Sequence, residues 1–418
     1  GPRADIYALG ATIHHVLTRQ DPRLEPPFSF SERPIRQVNP DVSPQLDQVV
    51  RKALSYEPDD RFQTAEEMKL GMLNVAKATG LLREVSAITP AAKEIFNQEE
   101  DVQPVWSFRC EDEIRGTPVY HNGMVYVGSY DNNLYTLSAL DGSFAWKYPT
   151  DGGIVSRPAI LDNVIYFGSE DHRLHAVSLF TGRVQWTYYT EGPVRSSPCL
   201  AEGHIFIGSD DGHIHAINAQ TGRRAWRIDA GAPVRSTPLV VQDFVYFGAE
   251  SGDFFCMDFS GKMKWRFKAR RAITSSPVIS QGVVYFSSVD STLYALEAKT
   301  GWVIWRFRLG KASISSPVIA DKFVITGSVD GNIYCVETAN AREVWKFATE
   351  HQVTGSPIIY KDSLYCGSVD HHIYCLEYRT GRLRWKYKTD GPITGTPTAS
   401  EDLIYCGSTD HHIYALAA

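Results

Sequence analysis

From about residue 105 onward, apolar and polar positions alternate in short runs with the period-two rhythm of β-strands, whereas upstream the apolar residues recur at helical spacing. The later part is one unit written eight times. Its tryptophans stand at 106, 146, 186, 226, 265, 305, 345 and 385, about 40 residues apart. One copy shows four strand-like runs: 303–307 (V-I-W-R-F), 314–319 (I-S-S-P-V-I), 323–327 (F-V-I-T-G) and 333–337 (I-Y-C-V-E). Each is rich in β-branched and aromatic residues and bounded by Gly, Asp, Asn or Pro. Between the third and fourth runs lie Asp131-Asn132, Asp171-His172, Asp211-Gly212, Asp290-Ser291, Asp330-Gly331, Asp370-His371 and Asp410-His411. These residue types tolerate the left-handed backbone of a tight hairpin. Units of this length cannot bury their faces alone and must stack on their neighbours.

The two ends of the array predict how it closes. It begins with a lone Trp strand, 105–108, and ends at 413–416 with no Trp strand after it. The first strand can complete the last unit, removing an exposed sheet edge. The expected fold is mainly β: an eight-bladed β-propeller of four-stranded blades over residues 105–418, preceded by a small all-α segment.

The recurring L-Y-A-L-x-A-x-T-G-x-x-x-W string, as at 293–305, resembles the PQQ-like repeat of quinoprotein dehydrogenases and of the bacterial outer-membrane assembly lipoprotein. The resemblance implies that Trp106, Trp146, Trp186, Trp226, Trp265, Trp305, Trp345 and Trp385 pack between blades, with Thr-Gly forming the turn before each. The dehydrogenases of that family carry a vicinal cysteine pair against the quinone and a calcium held by oxygen ligands. Here Cys110, Cys199, Cys256, Cys335, Cys366, Cys375 and Cys406 include no adjacent pair, and no carboxylates cluster outside the turns. Neither quinone nor metal is therefore expected, and one fold hosts many functions.

Upstream, helices are predicted over 5–17, over 44–53 with Pro44 in its first turn, and from Thr64, where Thr64 and Glu67 form a capping box. The strings R-A-D-I-Y-A-L-G-A-T (3–12), P-P-F (26–28), P-I-R-Q-V-N-P (34–40) and K-A-L-S-Y-E-P-D-D-R-F-Q-T-A-E-E-M (52–68) resemble the end of a bacterial Ser/Thr protein kinase C-lobe, over residues 1–80. The resemblance implies that Asp5 anchors the catalytic-loop backbone and that Arg61 pairs with an upstream Glu. The glycine-rich loop, the ATP-orienting Lys, the catalytic loop and the metal-binding Asp all precede this part of a kinase. The chain is thus expected to be the C-terminal portion of a longer kinase and to have no catalysis itself, ATP and magnesium belonging to the upstream lobe. Residues 81–104 read as a linker with a short helix from Pro90 to Phe96 and an acidic run, Glu99-Glu100-Asp101.

A net charge of −6 argues against a general nucleic-acid role, and 43% hydrophobic residues suffice for a large core. Seven scattered cysteines read as reduced packing residues. No apolar run approaches membrane-spanning length, so the kinase-like part and the propeller are expected to share one compartment, the cytoplasm.

Three sets of residues are candidates for chemistry. A proline recurs at the innermost strand (118, 158, 198, 238, 277, 317, 357 and 397); Arg115, Arg195 and Arg235 stand three residues before it and Arg157 one before. Blades five to eight carry Thr274, Ile314, Thr354 and Thr394 instead, so arginine is confined to half the ring, with Arg270 and Arg271 close by. Guanidinium forks at a channel mouth suit phosphate or carboxylate. The plainer alternative is solvated arginines paired with acids such as Asp112, Glu113 and Glu191. On the first reading, replacing Arg195 and Arg235 by Ala weakens anion binding with little change in melting temperature. The turn histidines His172, His213, His371, His372, His411 and His412 read as hairpin supports rather than a metal site. Cys335 with Cys375, and Cys366 with Cys406, fall at matching places in adjacent blades and read as core. The expected function is a regulatory module that binds a protein or anionic ligand beside its own kinase domain; a quinone-dependent dehydrogenase and a passive interaction scaffold are the alternatives.

Overall fold

The computed structural model describes residues 2–20, 30–78 and 102–418. The chain divides into two compact units, Gly1–Asn97 and Gln98–Ala418. The P-P-F string and the predicted helix from Pro90 to Phe96 lie outside the described residues.

In the first unit, α1 (Pro2–Thr18), α2 (Ile35–Val38), α3 (Pro44–Ala53) and α4 (Ala65–Ala78) surround small cores of Ile6, Ala53, Phe62 and Met68 and of Ile35, Val42 and Val50. Ser43 caps α3 by accepting the Leu46 N–H at 3.2 Å, with Pro44 in the first turn as its fixed φ favours. Thr64 likewise accepts the Glu67 N–H at 3.1 Å, but Glu67 returns its carboxylate to the Gln63 N–H at 2.7 Å, one residue before the position a capping box uses. Arg61 donates to the carbonyls of Ser55 (2.8 Å) and Tyr56 (3.0 Å) and lies over the Tyr7 ring. It thus satisfies carbonyls just beyond α3. Asp5 sits exposed in the first turn of α1. No described helix is long and apolar enough to cross a membrane.

The second unit is eight four-stranded antiparallel sheets. In the first blade, an innermost strand Val119–His121 is followed outward by Met124–Gly128, Asn133–Ser138 and Phe144–Pro149, and the others repeat this order. Seven blades use four consecutive strands. The eighth takes the last three strands of the chain and closes with Trp106–Arg109, in the register Trp106 to Ala415, Ser107 to Tyr414, Phe108 to Ile413 and Arg109 to His412. The closure expected from the chain ends is the one observed. In the seven continuous blades a bulge interrupts the pairing of the two outer strands, as between Thr136 and Leu137, and the closing strand has none. The bulge accompanies the covalent turn that joins these two strands, and the closing strand arrives without such a turn.

Middle strands are buried nearly end to end, because neighbouring blades cover both faces, while outer strands alternate toward solvent. The tryptophans weld the blades. Trp106 donates its indole N–H to the Ala139 carbonyl at 2.9 Å, and Trp186, Trp226, Trp265, Trp305 and Trp345 each reach the carbonyl 33 residues ahead in the next blade. The ring lies flat on the glycine turn of the next blade: Gly142, after Asp141, has φ +70°, and a Cβ there would stand 2.6 Å from the Trp106 ring. Both the left-handed backbone and the contact demand glycine. The sixth blade departs, holding Ala341 at φ 61° beside Trp305, a strain of about 1 kcal/mol that the surrounding weld sustains.

Candidate functional site: the channel lining

The eight innermost strands circle the axis, and the residues leading into them alternate strictly. Four residues before each proline the side chain is buried, as at Ile114, Ile154, Val194 and Val234. Two before it stands Ser or Gly, also buried: Ser156 donates to the Gly168 carbonyl at 2.8 Å and accepts the Gly168 N–H at 2.9 Å, and Ser196 does the same with Gly208. This leaves the residues three and one before the proline to face the axis.

One ring of these is a belt of hydroxyls: Thr117, Ser197, Thr237, Ser276, Ser316, Ser356 and Thr396, with Arg157 as its only charged member. The belt is tied blade to blade. Backbone N–H groups of Arg157, Thr237, Ser276 and Ser316 donate to the hydroxyls of Ser197, Ser276, Ser316 and Ser356 at 2.8–2.9 Å. Such bonds tie the innermost strands of adjacent blades to one another. Arg157 is exposed to solvent, although the protein atoms around it lower its guanidinium pKa by partial desolvation. Its side chain has no hydrogen-bond or ion-pair partner among the described residues.

The other arginines differ. Arg115 pairs with Glu113 at 2.6 Å and lies over Tyr130. Arg195 bonds Glu170 at 2.8 Å and also Asp210; Arg235 takes Asp210 at 2.9 Å and Glu250 at 2.9 Å. The result is a ladder, Glu170–Arg195–Asp210–Arg235–Glu250, across blades two to four, with three carboxylates to two guanidiniums. The plainer reading of these arginines had the right form, but of the acids it named only Glu113 is a partner; Glu191 pairs with Arg227 instead. Glu170, Asp210 and Glu250 precede the hairpin turns and reach the mouth only when the blades close.

This pairing reverses the expected effect on melting temperature. Replacing both Arg195 and Arg235 by Ala strands Asp210, whose side chain is 9% exposed, between two other carboxylates. The double variant should lose about 1–3 kcal/mol after allowing for the partial exposure of the two side chains, 33% for Arg195 and 39% for Arg235. Chemical denaturation checks this, with Asp210→Asn in the same background restoring part of the loss.

The recurring hairpin aspartates are staples between blades. Asp211 accepts the His213 N–H (2.9 Å) in its own turn, the Glu191 N–H (3.2 Å) at the end of the preceding blade's outer strand, and Nε2 of His215 (3.1 Å). Asp131, Asp171, Asp370 and Asp410 repeat the pattern with Tyr135, His175, Tyr374 and Tyr414 four residues on. In the fourth blade Ser251 replaces the aspartate, and Asp253 instead pairs with Lys268 at 3.0 Å. The signal for this network, D-x-x-x-Y/H, stands in the sequence and is easily taken for turn chemistry alone. His213, His372 and His412 fold back on the carbonyl of their own turn's aspartate, and His172, His371 and His411 supply the positive-φ turn position. Cys335, Cys366, Cys375 and Cys406 are free and buried; burial pushes the thiols of Cys335, Cys366 and Cys406 up to about 12.

Comparison with known proteins divides along the same line as the fold. A stretch is 38% identical over 81 residues to the serine/threonine-protein kinase PknB of Mycolicibacterium smegmatis, covering 18% of this chain and 13% of that protein. Similarity at 33% over 72 residues extends to the tyrosine-protein kinase MasK of Myxococcus xanthus, 15% of this chain and 11% of that protein. The chain thus spans only a small fraction of the curated relatives it matches. Among solved structures, a computationally designed protein, Ika8, superimposes with TM-score 0.69 at 16% identity, covering 76% of this chain and all of that one. BamB from Moraxella catarrhalis gives 0.66 at 18%, again over 76% of this chain and 100% of its own. A europium-containing methanol dehydrogenase gives 0.64 at 13%, over 76% and 93%. At these identities the likeness establishes the fold alone. The family model of the outer membrane protein assembly factor BamB matches residues 290–377 and 329–418. A second model, described as beta-alanine-activating enzyme, beta-propeller, matches residues 95–323. With more than half of its length under that model, the chain belongs to this β-propeller family, joined to a short kinase-homologous stretch.

Proposed function

We propose that the chain is the C-terminal portion of a bacterial Ser/Thr protein kinase whose PQQ-like propeller is a cytoplasmic regulatory module, binding a protein or an anionic ligand at the channel mouth on the first four blades. The observation that carries the reading is the presence, in one chain, of a kinase-homologous stretch and a closed ring. A second support is the asymmetry of the lining. Packing alone would repeat equally in eight blades, yet Arg115, Arg157, Arg195 and Arg235 occupy only the first four, and of these Arg157 is left without an acidic partner among the described residues while the other three are paired. In this reading, ATP and magnesium serve the upstream lobe, and the ring brings a ligand or partner to it, as part of a signalling protein. The absence of an adjacent cysteine pair gives the dehydrogenase alternative no support.

The test uses the complete gene product. Phosphoryl transfer from ATP is expected with the ring present, and deleting 102–418 should leave transfer to a generic substrate intact while abolishing its modulation by ligand or partner. A complete protein without phosphoryl transfer, or one regulated identically without the ring, overturns the proposal.

A further inference from the structure

The channel lining offers donors without acceptors. Arg157 brings five guanidinium N–H donors that no described residue uses. The hydroxyls of Ser197, Ser276, Ser316 and Ser356 each accept a backbone N–H from the preceding blade and donate to no described residue, which leaves their O–H groups for the lumen. Beside this belt, the Oγ1 atoms of Thr274, Thr354 and Thr394 are buried and have no hydrogen-bond partner. Buried polar atoms are almost always satisfied, so a group of them around one channel points to something that satisfies them. Water could serve the hydroxyls, being donor and acceptor alike. It brings no counter-charge to Arg157, whose guanidinium has no acidic partner among the described residues and is the one charge in a belt otherwise made of Ser and Thr.

We propose that the channel binds a small free oxyanion, of the phosphate or sulfate class, between Arg157 and the hydroxyl belt. The proposal deepens the reading of the ring as a ligand-binding module and rests on it. Three features select this ligand over a bulky polyanion. The belt's hydroxyls are held at fixed positions by hydrogen bonds from blade to blade, suited to a compact group with several acceptor oxygens. Its only fixed charge is a single guanidinium, matched to one anionic group with several acceptor oxygens. At the mouth, the ladder of three carboxylates and two guanidiniums is internally paired and gives a polyanion no net attraction.

The probe is inorganic phosphate, titrated calorimetrically into the full chain at low ionic strength, with sulfate as a second arm and chloride as the ionic-strength control. The variant is Arg157→Ser, which restores the residue type the rest of the belt uses and so leaves the packing of the blade unchanged. Phosphate or sulfate should bind the wild type, and Arg157→Ser should weaken the affinity at least tenfold, with Arg157→Lys in between. A phosphorylated peptide serves as the third arm, and tighter binding of that peptide than of free phosphate overturns the assignment to a free anion. The absence of phosphate and sulfate binding in the wild type, or equal binding by Arg157→Ser, overturns the site itself. These outcomes are read as binding and are independent of phosphoryl transfer, so the site can fail while the regulatory reading stands, and the reverse.

Discussion

Deleting residues 102–110 from the full chain should open the ring and lower its melting temperature by on the order of 10 °C or more. The closing strand carries no bulge and no covalent link to its blade; it is held by four paired positions and by Trp106, which is 7% exposed and packs among Ile114, Val125, Val127, Tyr135 and Leu137. Removing a buried Trp alone costs about 3–5 kcal/mol. The deletion also takes away the ladder hydrogen bonds of His412–Ala417 and the cover over Tyr405 and Ile413. The strand left behind becomes an exposed, apolar edge, which templates association between molecules. The deleted protein should therefore melt earlier and elute as aggregate, and Trp106→Ala should lie between it and the wild type. A deletion variant as stable and as monodisperse as the parent would show that the seven continuous blades hold the ring without the joint.

The joint could be read from the sequence because it rests on a count: eight tryptophans, with a Trp strand before the first full unit and none after the last. The blade order, the turn positions and the starts of α3 and α4 were legible for a similar reason, each being fixed by residues a few positions apart, although the return bond of Glu67 falls on Gln63 rather than Thr64. The ion-pair ladder was not. Arg195 is 25 residues from Glu170 and 15 from Asp210, separations that mean nothing until adjacent blades are laid side by side. Selecting the arginines by type alone placed four in one group, and the fold separates them: three are neutralised, and Arg157, two positions further along the alternation, faces the axis alone. The hairpin aspartates show the converse failure. Their turn chemistry was local and visible, but the bond to the residue 20 positions earlier crosses a blade boundary, and it makes each aspartate a fastener between blades.

That second role sets the size of the remaining effect. Asp211→Ala should destabilise the ring by about 2–4 kcal/mol, because it removes three charge-assisted hydrogen bonds and leaves the N–H groups of His213 and Glu191 and the buried ring of His215 without their acceptor. His215 is 1% exposed and its other nitrogen is already hydrogen-bonded to the Tyr188 hydroxyl at 2.9 Å, so it cannot turn to water for relief. Burial acts to raise the Asp211 pKa, but the His215 hydrogen bond and charge, followed by the two backbone N–H groups, outweigh it and hold the carboxyl well below the usual carboxylate range. Asp171 in the preceding blade is lowered by the same opposition of burial and His175. A carboxyl depressed in the folded state contributes stability that is fully present above its unfolded pKa, near about 4, and is lost as the pH falls toward the folded value. Denaturation measured from pH 7 down to pH 2 should therefore show the wild type losing stability mainly below about pH 4. Asp211→Ala should begin lower and fall less steeply over that range, and Asp211→Asn, which keeps one acceptor oxygen for the turn, should start between them. Parallel acid profiles for wild type and Asp211→Ala would mean that the carboxylate does not fasten the blades through its charge.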